Sequence, residues 1–193
     1  ILPFVLGGGP AAPAASPTEA AKTAALKRGV FRSDDGGRTW QTKSLAAGGR
    51  TIADFRINRI MPHPTDAATV FLLTDGNGLW ISRDRGDQWS AVADGARAFD
   101  PQSNVLALAV APDDPQEWYV AAFQQNRGRV FVTVDGGATF REIYLTPVER
   151  FGVFDVYYDR ARRAVIIATG QGGLLESSDR GLTWRVVRWF ADG

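Results

Sequence analysis

Residues Ser33–Trp40 read SDDGGRTW. Two acids, two glycines, a threonine and a tryptophan in eight positions admit two opposed readings. Such a cluster can ligate a metal, or it can close a tight turn and finish on a packing aromatic. The rest of the chain decides between them, because the stretch recurs. SRDRGDQW covers Ser82–Trp89, TVDGGATF covers Thr133–Phe140 and SSDRGLTW covers Ser177–Trp184. All four copies have a hydroxyl residue, any residue, Asp, any residue, Gly, two more residues and an aromatic.

The Asp positions are Asp35, Asp84, Asp135 and Asp179, and the glycines are Gly37, Gly86, Gly137 and Gly181. The closing aromatics Trp40, Trp89, Phe140 and Trp184 are spaced by 49, 51 and 44 residues. A period of that size signals a propeller or solenoid unit. Each copy follows a short apolar stretch (GVFRS, GLWIS, RVFVT, GLLES) and precedes another (WQTKSL, WSAV, FREIY, WRVV). The motif is therefore expected to be a turn between antiparallel strands. Glycine at the fifth position can take positive φ, and Asp and the hydroxyl can hold the bend by bonding backbone N–H groups. The aromatic is expected to pack between units. A calcium loop would need several alternating oxygen ligands and a distal Glu, which no copy supplies, so no metal is expected.

This pattern resembles the Asp-box, or BNR repeat, SxDxGxTW, over roughly residues 29–190. The resemblance implies an all-β fold, a β-propeller of four-stranded antiparallel blades with structural Asp-box hairpins. Gln88 replaces Thr in the second copy and Phe140 replaces Trp in the third.

Between motifs lie two further strands per unit. DFRINRIMP and TVFLLT flank HPTDAA, NVLALAV and WYVAAF flank APDDPQE, and FGVFDVYYD and VIIATG flank RARRA. Each unit thus reads strand A, Pro/Asp turn, strand B, loop, strand C, Asp-box, strand D. The expected units are a half blade at 29–45 and blades at 51–93, 103–145 and 151–190. Three and a half blades fall short of the about four to eight of a closed ring. An incomplete propeller, a fragment of a longer one, is the favoured expectation, with exposed edges that invite another chain.

Other features narrow the function classes. The net charge of +1 gives no strong nucleic-acid footprint. The absence of cysteine removes disulfides, thiol chemistry and Cys-ligated zinc. His63, between two prolines, reads as a turn residue. Residues 1–28 open with an apolar run too short to span a membrane and become Ala/Pro-rich. They read as a signal-peptide remnant or a linker, which points to a secreted, periplasmic or cell-envelope protein. No stable membrane span and no cofactor are expected.

In related propellers the ligand face lies opposite the Asp-boxes, on the D-to-A and B-to-C loops. There the resemblance places AAGGRTIAD (46–54), DGNG, DGARAFDPQS, FQQNRGR, YLTPVERFG and GQGG, with binding candidates Arg56, Arg97, Asp100, Glu149, Arg150 and Asp155. FRIN at 55–58 resembles the sialidase FRIP motif, with Arg56 as its triad arginine, but it follows an Asp-box instead of preceding the first. Glu149, Asp155 and Tyr157 could complete such a site, and Asp54 and Asp155 could act as an inverting carboxylate pair. The non-catalytic reading uses fewer assumptions. It is an exported scaffold binding protein or peptide partners, resembling sortilin-type ectodomains and photosystem II assembly factors, with carbohydrate binding or glycoside hydrolysis as the alternative.

Overall fold

A computed structural model describes residues 28–190 of the 193-residue chain. The reading of residues 1–28 as a leader or linker lies outside the described residues, Arg28 apart. The repeats give three four-stranded antiparallel sheets, each in simple sequence order. The second blade holds β5 (Arg56–Pro62), β6 (Val70–Asp75), β7 (Leu79–Ser82) and β8 (Ser90–Ala91). The third holds β9 (Asn104–Val110), β10 (Trp118–Gln124), β11 (Arg127–Thr133) and β12 (Arg141–Leu145). The fourth holds β13 (Val153–Asp159), β14 (Ala164–Thr169), β15 (Gly173–Ser177) and β16 (Arg185–Trp189). The first unit contributes only β1 (Phe31–Arg32) and β2 (Gln41–Thr42), which pair with each other. These are the β-propeller blades that the repeat spacing implied, with three and one half of them described.

One segment departs from the sequence reading. Residues 46–54 were expected to be a loop of the ligand face. Instead β3 (Leu45–Ala46) pairs with β4 (Arg50–Thr51), and Ala46 and Ile52 are buried. The cause is apolar. Val30, Ala46, Ile52, Leu72, Trp80 and Trp89 form one cluster, so this hairpin covers the first-unit side of the second blade. Two larger clusters fill the remaining gaps. Phe71, Leu73, Leu79, Phe99, Trp118 and Phe131 join blades two and three. Tyr119, Val130, Ile143, Val156, Val165 and Ile167 join blades three and four.

The four Asp-boxes repeat one set of bonds. The first hydroxyl accepts the N–H of the fifth-position glycine at 2.7 to 3.0 Å and donates to the Asp at 2.6 to 2.8 Å. The Asp also accepts the N–H of the seventh residue at 2.9 Å in every copy. In three copies that residue is Thr, and its hydroxyl donates to the second carboxylate oxygen at 2.6 Å. All four fifth-position glycines have φ between 78° and 90°, a left-handed backbone that a Cβ disfavours. The carboxylates are spent on their own turns. His63 caps a turn in the same way, with Nδ1 3.2 Å from the Asp66 N–H.

The aromatics complete the repeat. Trp89 is fully buried and its indole N–H reaches the Lys43 carbonyl of the previous unit at 2.8 Å. Trp184 does the same to the Ile143 carbonyl at 2.8 Å. Phe140 has no ring donor; it packs on Phe99, and its backbone N–H goes to Asp94. Trp40 is 56% exposed and bonds only Gly37 of its own turn. Trp80 and Trp118 are also buried packing residues, whereas Trp189 is exposed.

Two outcomes test this account. Trp89→Phe keeps most of the buried area and strands the Lys43 carbonyl, so it should cost about 1 kcal/mol. Trp89→Ala should cost about 3–5 kcal/mol, a large part of a domain's stability of about 5–15 kcal/mol. Denaturant melts of both variants measure the difference, and a Trp89→Phe variant as stable as the wild type would contradict the indole bond. The second outcome concerns acid. The Thr39 and Thr183 hydroxyls, then the backbone and serine bonds, lower Asp35 and Asp179 from 3.8 to about 2. Thr133 leads the same shift at Asp135. Folding therefore favours the ionised form, so the contribution is complete above the ordinary value of 3.8 and is lost as the pH falls towards about 2. The melting temperature should decline across that window, and less steeply in Thr183→Val.

Candidate functional site

The antiparallel order puts the β6–β7, β10–β11 and β14–β15 turns, and the starts of β5, β9 and β13, at the end opposite the Asp-boxes. One turn there collects most of the sequence-predicted residues. Gln124, at the end of β10, is 8% exposed. Its side chain accepts the Asp100 N–H at 2.9 Å and donates to the Ala98 carbonyl at 3.1 Å. Two residues on, the Asn126 carbonyl accepts the Arg150 N–H at 2.9 Å, and its side-chain amide donates to Glu149 at 3.1 Å. The β10–β11 turn thus holds the loop carrying Arg97 and Asp100 on one side and the loop carrying Glu149 and Arg150 on the other.

The backbone here is unusual. Arg97, Gln125, Asn126 and Arg150 all have φ between 51° and 67°. Positive φ is uncommon for non-glycine residues and persists only where the surroundings impose it. The same sign at Arg85 and Arg180 has a local reason, since both sit in the Asp-box slot that Gly36 and Gly136 fill with positive φ elsewhere. Arg97 is held by Asp94, whose carboxylate accepts four backbone N–H groups from Ala96, Ala98, Phe99 and Phe140 at 2.6 to 3.0 Å. Asp94 and Gln124 were missed by the sequence reading. Polar residues that leave a strand for a loop rich in N–H groups are the signal that was available.

The other candidates are placed differently. Arg56 pairs with Asp75 at 3.2 Å across β5 and β6, with its side chain 83% exposed. Asp155 faces Arg59 of β5 at 3.7 Å, and its Oδ1 accepts the Val156 N–H. The Asn58 amide bonds the Asn104 side chain at 2.7 Å and the Val105 carbonyl at 2.8 Å, so β5 is tied to β9. Arg56, Glu149 and Asp155 therefore have separate partners, and Tyr157 lies on an open sheet face, 61% exposed.

Two concavities flank these features. Beside β5, an open groove of about 590 Å³ is lined by Arg28, Asp54, Phe55 and Ile57, with Arg28 and Asp54 paired at 3.2 Å. On the Asp-box side, a cavity of about 350 Å³ between blades three and four holds Glu117, Tyr119, Tyr158 and Arg180. Buried Glu117 accepts the Tyr119 hydroxyl at 2.5 Å and Arg180 at 2.8 Å. Burial first, then the Glu117 contact, push the Tyr119 phenol far up. Tyr119 stacks on Tyr158 of the next blade, so this group is an inter-blade tie. Among the described residues no three His, Cys, Asp or Glu side chains are grouped to hold a metal ion, and no helix is long and apolar enough to cross a membrane.

Comparison with known proteins places this architecture. The chain is 28% identical over 149 residues to an oligoxyloglucan-reducing end-specific xyloglucanase from Emericella nidulans, covering 69% of this chain but 18% of that enzyme. The GH74 xyloglucanase structure from Xanthomonas campestris superposes with a TM-score of 0.63, at 20% identity over 83% of this chain and 27% of the other, and an ancestral GH74 enzyme gives 0.62 at 19% identity over 81% of this chain and 21% of the other. YCF48 from Cyanidioschyzon merolae, a protein also solved bound to D1 peptide, gives 0.56 at 17% identity over 70% of this chain and 41% of the other. The chain thus spans about a fifth of the first of these relatives. Residues 28–143, more than half of the chain, match the family described as "Sortilin, neurotensin receptor 3". With its Asp-box blades and this match, the chain belongs to the sortilin–Vps10 family of β-propellers.

Proposed function

We propose that this chain is a non-catalytic binding module of an exported protein. It recognises carboxylate groups of a protein or peptide partner through the loops opposite the Asp-boxes. One observation carries this reading. Arg127 and Arg150 lie at the β10–β11 turn and Arg97 on the loop that Asp94 ties to Phe140 and Gln124 ties to β10, all without a carboxylate in ion-pair range among the described residues, and Arg97 and Arg150 sit in imposed left-handed backbone. A guanidinium on a held loop is suited to a bidentate carboxylate contact. YCF48 bound to D1 peptide supports a peptide partner on this fold. The N-terminal apolar run followed by AAPAAS supports export.

The xyloglucanase relatives favour a second reading, glycoside hydrolysis. The sequence offered Asp54 and Asp155 as its carboxylate pair. Both are exposed and each faces an arginine, whereas a general acid of that chemistry sits in surroundings that keep it protonated.

Fluorescence anisotropy with labelled peptides ending in acidic residues tests the binding reading. The peptides should bind, binding should weaken with salt, and Arg97→Ala and Arg150→Ala should each weaken it about tenfold or more. Failure of every peptide to bind, with release of reducing ends from xyloglucan, would replace this reading with the glycosidase. Asp94→Ala should cost about 1–3 kcal/mol by stranding its N–H partners. It should also weaken peptide binding although Asp94 touches no ligand. Unchanged stability in a thermal melt would remove Asp94 from the anchoring role.

A further inference from the structure

Strand B meets the Asp-box hairpin in a fixed register, so the blades can be compared position by position. Trp118 of β10 stands opposite Thr133, the first hydroxyl of its Asp-box, and Val165 of β14 stands opposite Ser177. The two residues therefore hold the same place, and each packs towards the preceding blade. Between blades two and three the Trp118 indole fills that place. It meets Phe71 edge-on at 4.9 Å and covers Gly137 of the Asp-box. Between blades three and four Val165 is too short to do so. Tyr158 takes part of the room by stacking on Tyr119, and the cavity of about 350 Å³ remains at the Asp-box end of the joint.

The walls of this cavity are polar, and their bonding capacity is unevenly used. Both Glu117 oxygens are taken, by the Tyr119 hydroxyl and by Arg180 Nε. One Asp113 oxygen accepts Arg160, and one Asp114 oxygen accepts the Gln116 N–H. Their second oxygens have no hydrogen bond among the described residues. Neither have the Tyr158 and Ser178 hydroxyls or the Arg163 guanidinium, all of which line the cavity. Arg163 is set in left-handed backbone, φ 51°, in a turn that the Asp159 carboxylate closes on Ala161 and Arg162. Burial first, then the Glu117 and Asp113 charges, push the Tyr158 phenol up, so it stays a donor. The carboxylates of Asp113, Asp114 and Glu117 are balanced by the guanidiniums of Arg160, Arg163 and Arg180. A lone cation or anion would satisfy one kind of group in this neutral recess and leave the other unmet. A hydroxyl-bearing ring satisfies both, because each hydroxyl donates and accepts.

We propose that this recess binds an uncharged saccharide unit, one pyranose ring seated between blades three and four. Arg163, Tyr158 and Ser178 donate to its oxygens, and the second oxygens of Asp113 and Asp114 accept from its hydroxyls. A volume of about 350 Å³ is at the small end for ligand pockets, which suits a single ring. No bond is made or broken. The site lies at the Asp-box end and has no part in the peptide-binding reading, since it involves neither Arg97 nor Arg150.

Saturation-transfer-difference NMR on the 193-residue chain tests this. The probes are glucose, xylose, galactose and mannose, each free and as the terminal unit of a short oligosaccharide. At least one should bind with a Kd of about 1 mM. Binding of the free sugar assigns the site to monosaccharides, and binding of the oligosaccharide alone assigns it to glycan ends. Tyr158→Phe keeps the stack on Tyr119 and removes one donor, and Arg163→Gln removes another. Each should weaken binding about tenfold. Val165→Trp restores the indole found between blades two and three and should abolish binding. Tyr158→Phe and Arg163→Gln carry the test if circular dichroism shows Val165→Trp unfolded. No sugar signal at about 10 mM, ten times the expected Kd, would overturn the proposal. So would binding that survives both Tyr158→Phe and Arg163→Gln, or a preference for sulfate or methylammonium over every sugar.

Discussion

The indole N–H of an Asp-box tryptophan that packs against a preceding unit finds its acceptor on that unit's backbone. Trp89 and Trp184 find it on the carbonyls of Lys43 and Ile143. The rest of the architecture depends on that constraint. The turn is closed internally by hydroxyl, carboxylate and glycine, which fixes where the aromatic leaves the hairpin. The aromatic then fixes the distance and angle to the preceding strand D. Apolar strands on both sides fill the space so defined, giving one core cluster for each gap between units.

The third copy shows how the same joint survives a substitution. Phe140 carries no ring donor, and the join is made by Asp94 instead. Its carboxylate takes the Phe140 N–H while holding Ala96, Ala98 and Phe99. The loop that carries Arg97 is thereby shaped by the joint between blades two and three. Gln124 adds a second anchor from β10. A structural requirement at the Asp-box side of the blade is in this way linked to the geometry of the opposite end, where loops are free to vary on a rigid frame.

The same economy explains why carboxylates are a poor guide to chemistry in this chain. Asp35, Asp84, Asp135 and Asp179 accept turn N–H groups, Asp94 shapes a loop, and Glu117 joins Tyr119 to Arg180 between blades. Asp54, Asp75 and Asp155 face arginines. Arg97 and Arg150 differ in sitting in left-handed backbone on loops that Asp94, Gln124 and Asn126 anchor.

Four copies of an eight-residue motif, with hydroxyl, Asp, Gly and aromatic in fixed register, determined the fold from the sequence alone, because the hydroxyl, Asp and Gly act within a few positions of themselves and the aromatic recurs at a regular spacing. Strand boundaries were equally legible, since NVLALAV and VIIATG carry their burial in their own composition. What the tertiary structure decided involves partners 19 to 96 residues apart, for which no local pattern exists. It turned residues 46–54 from a loop into a hairpin, because Ala46 and Ile52 have an apolar blade face to cover. It gathered Arg97, Asp100, Glu149 and Arg150 on one turn through Gln124 and Asn126, and it left Arg56 and Asp155 with partners of their own. Hydrogen bonds between loops of different blades depend on how the blades are stacked, and that stacking is set by the packing of whole sheets.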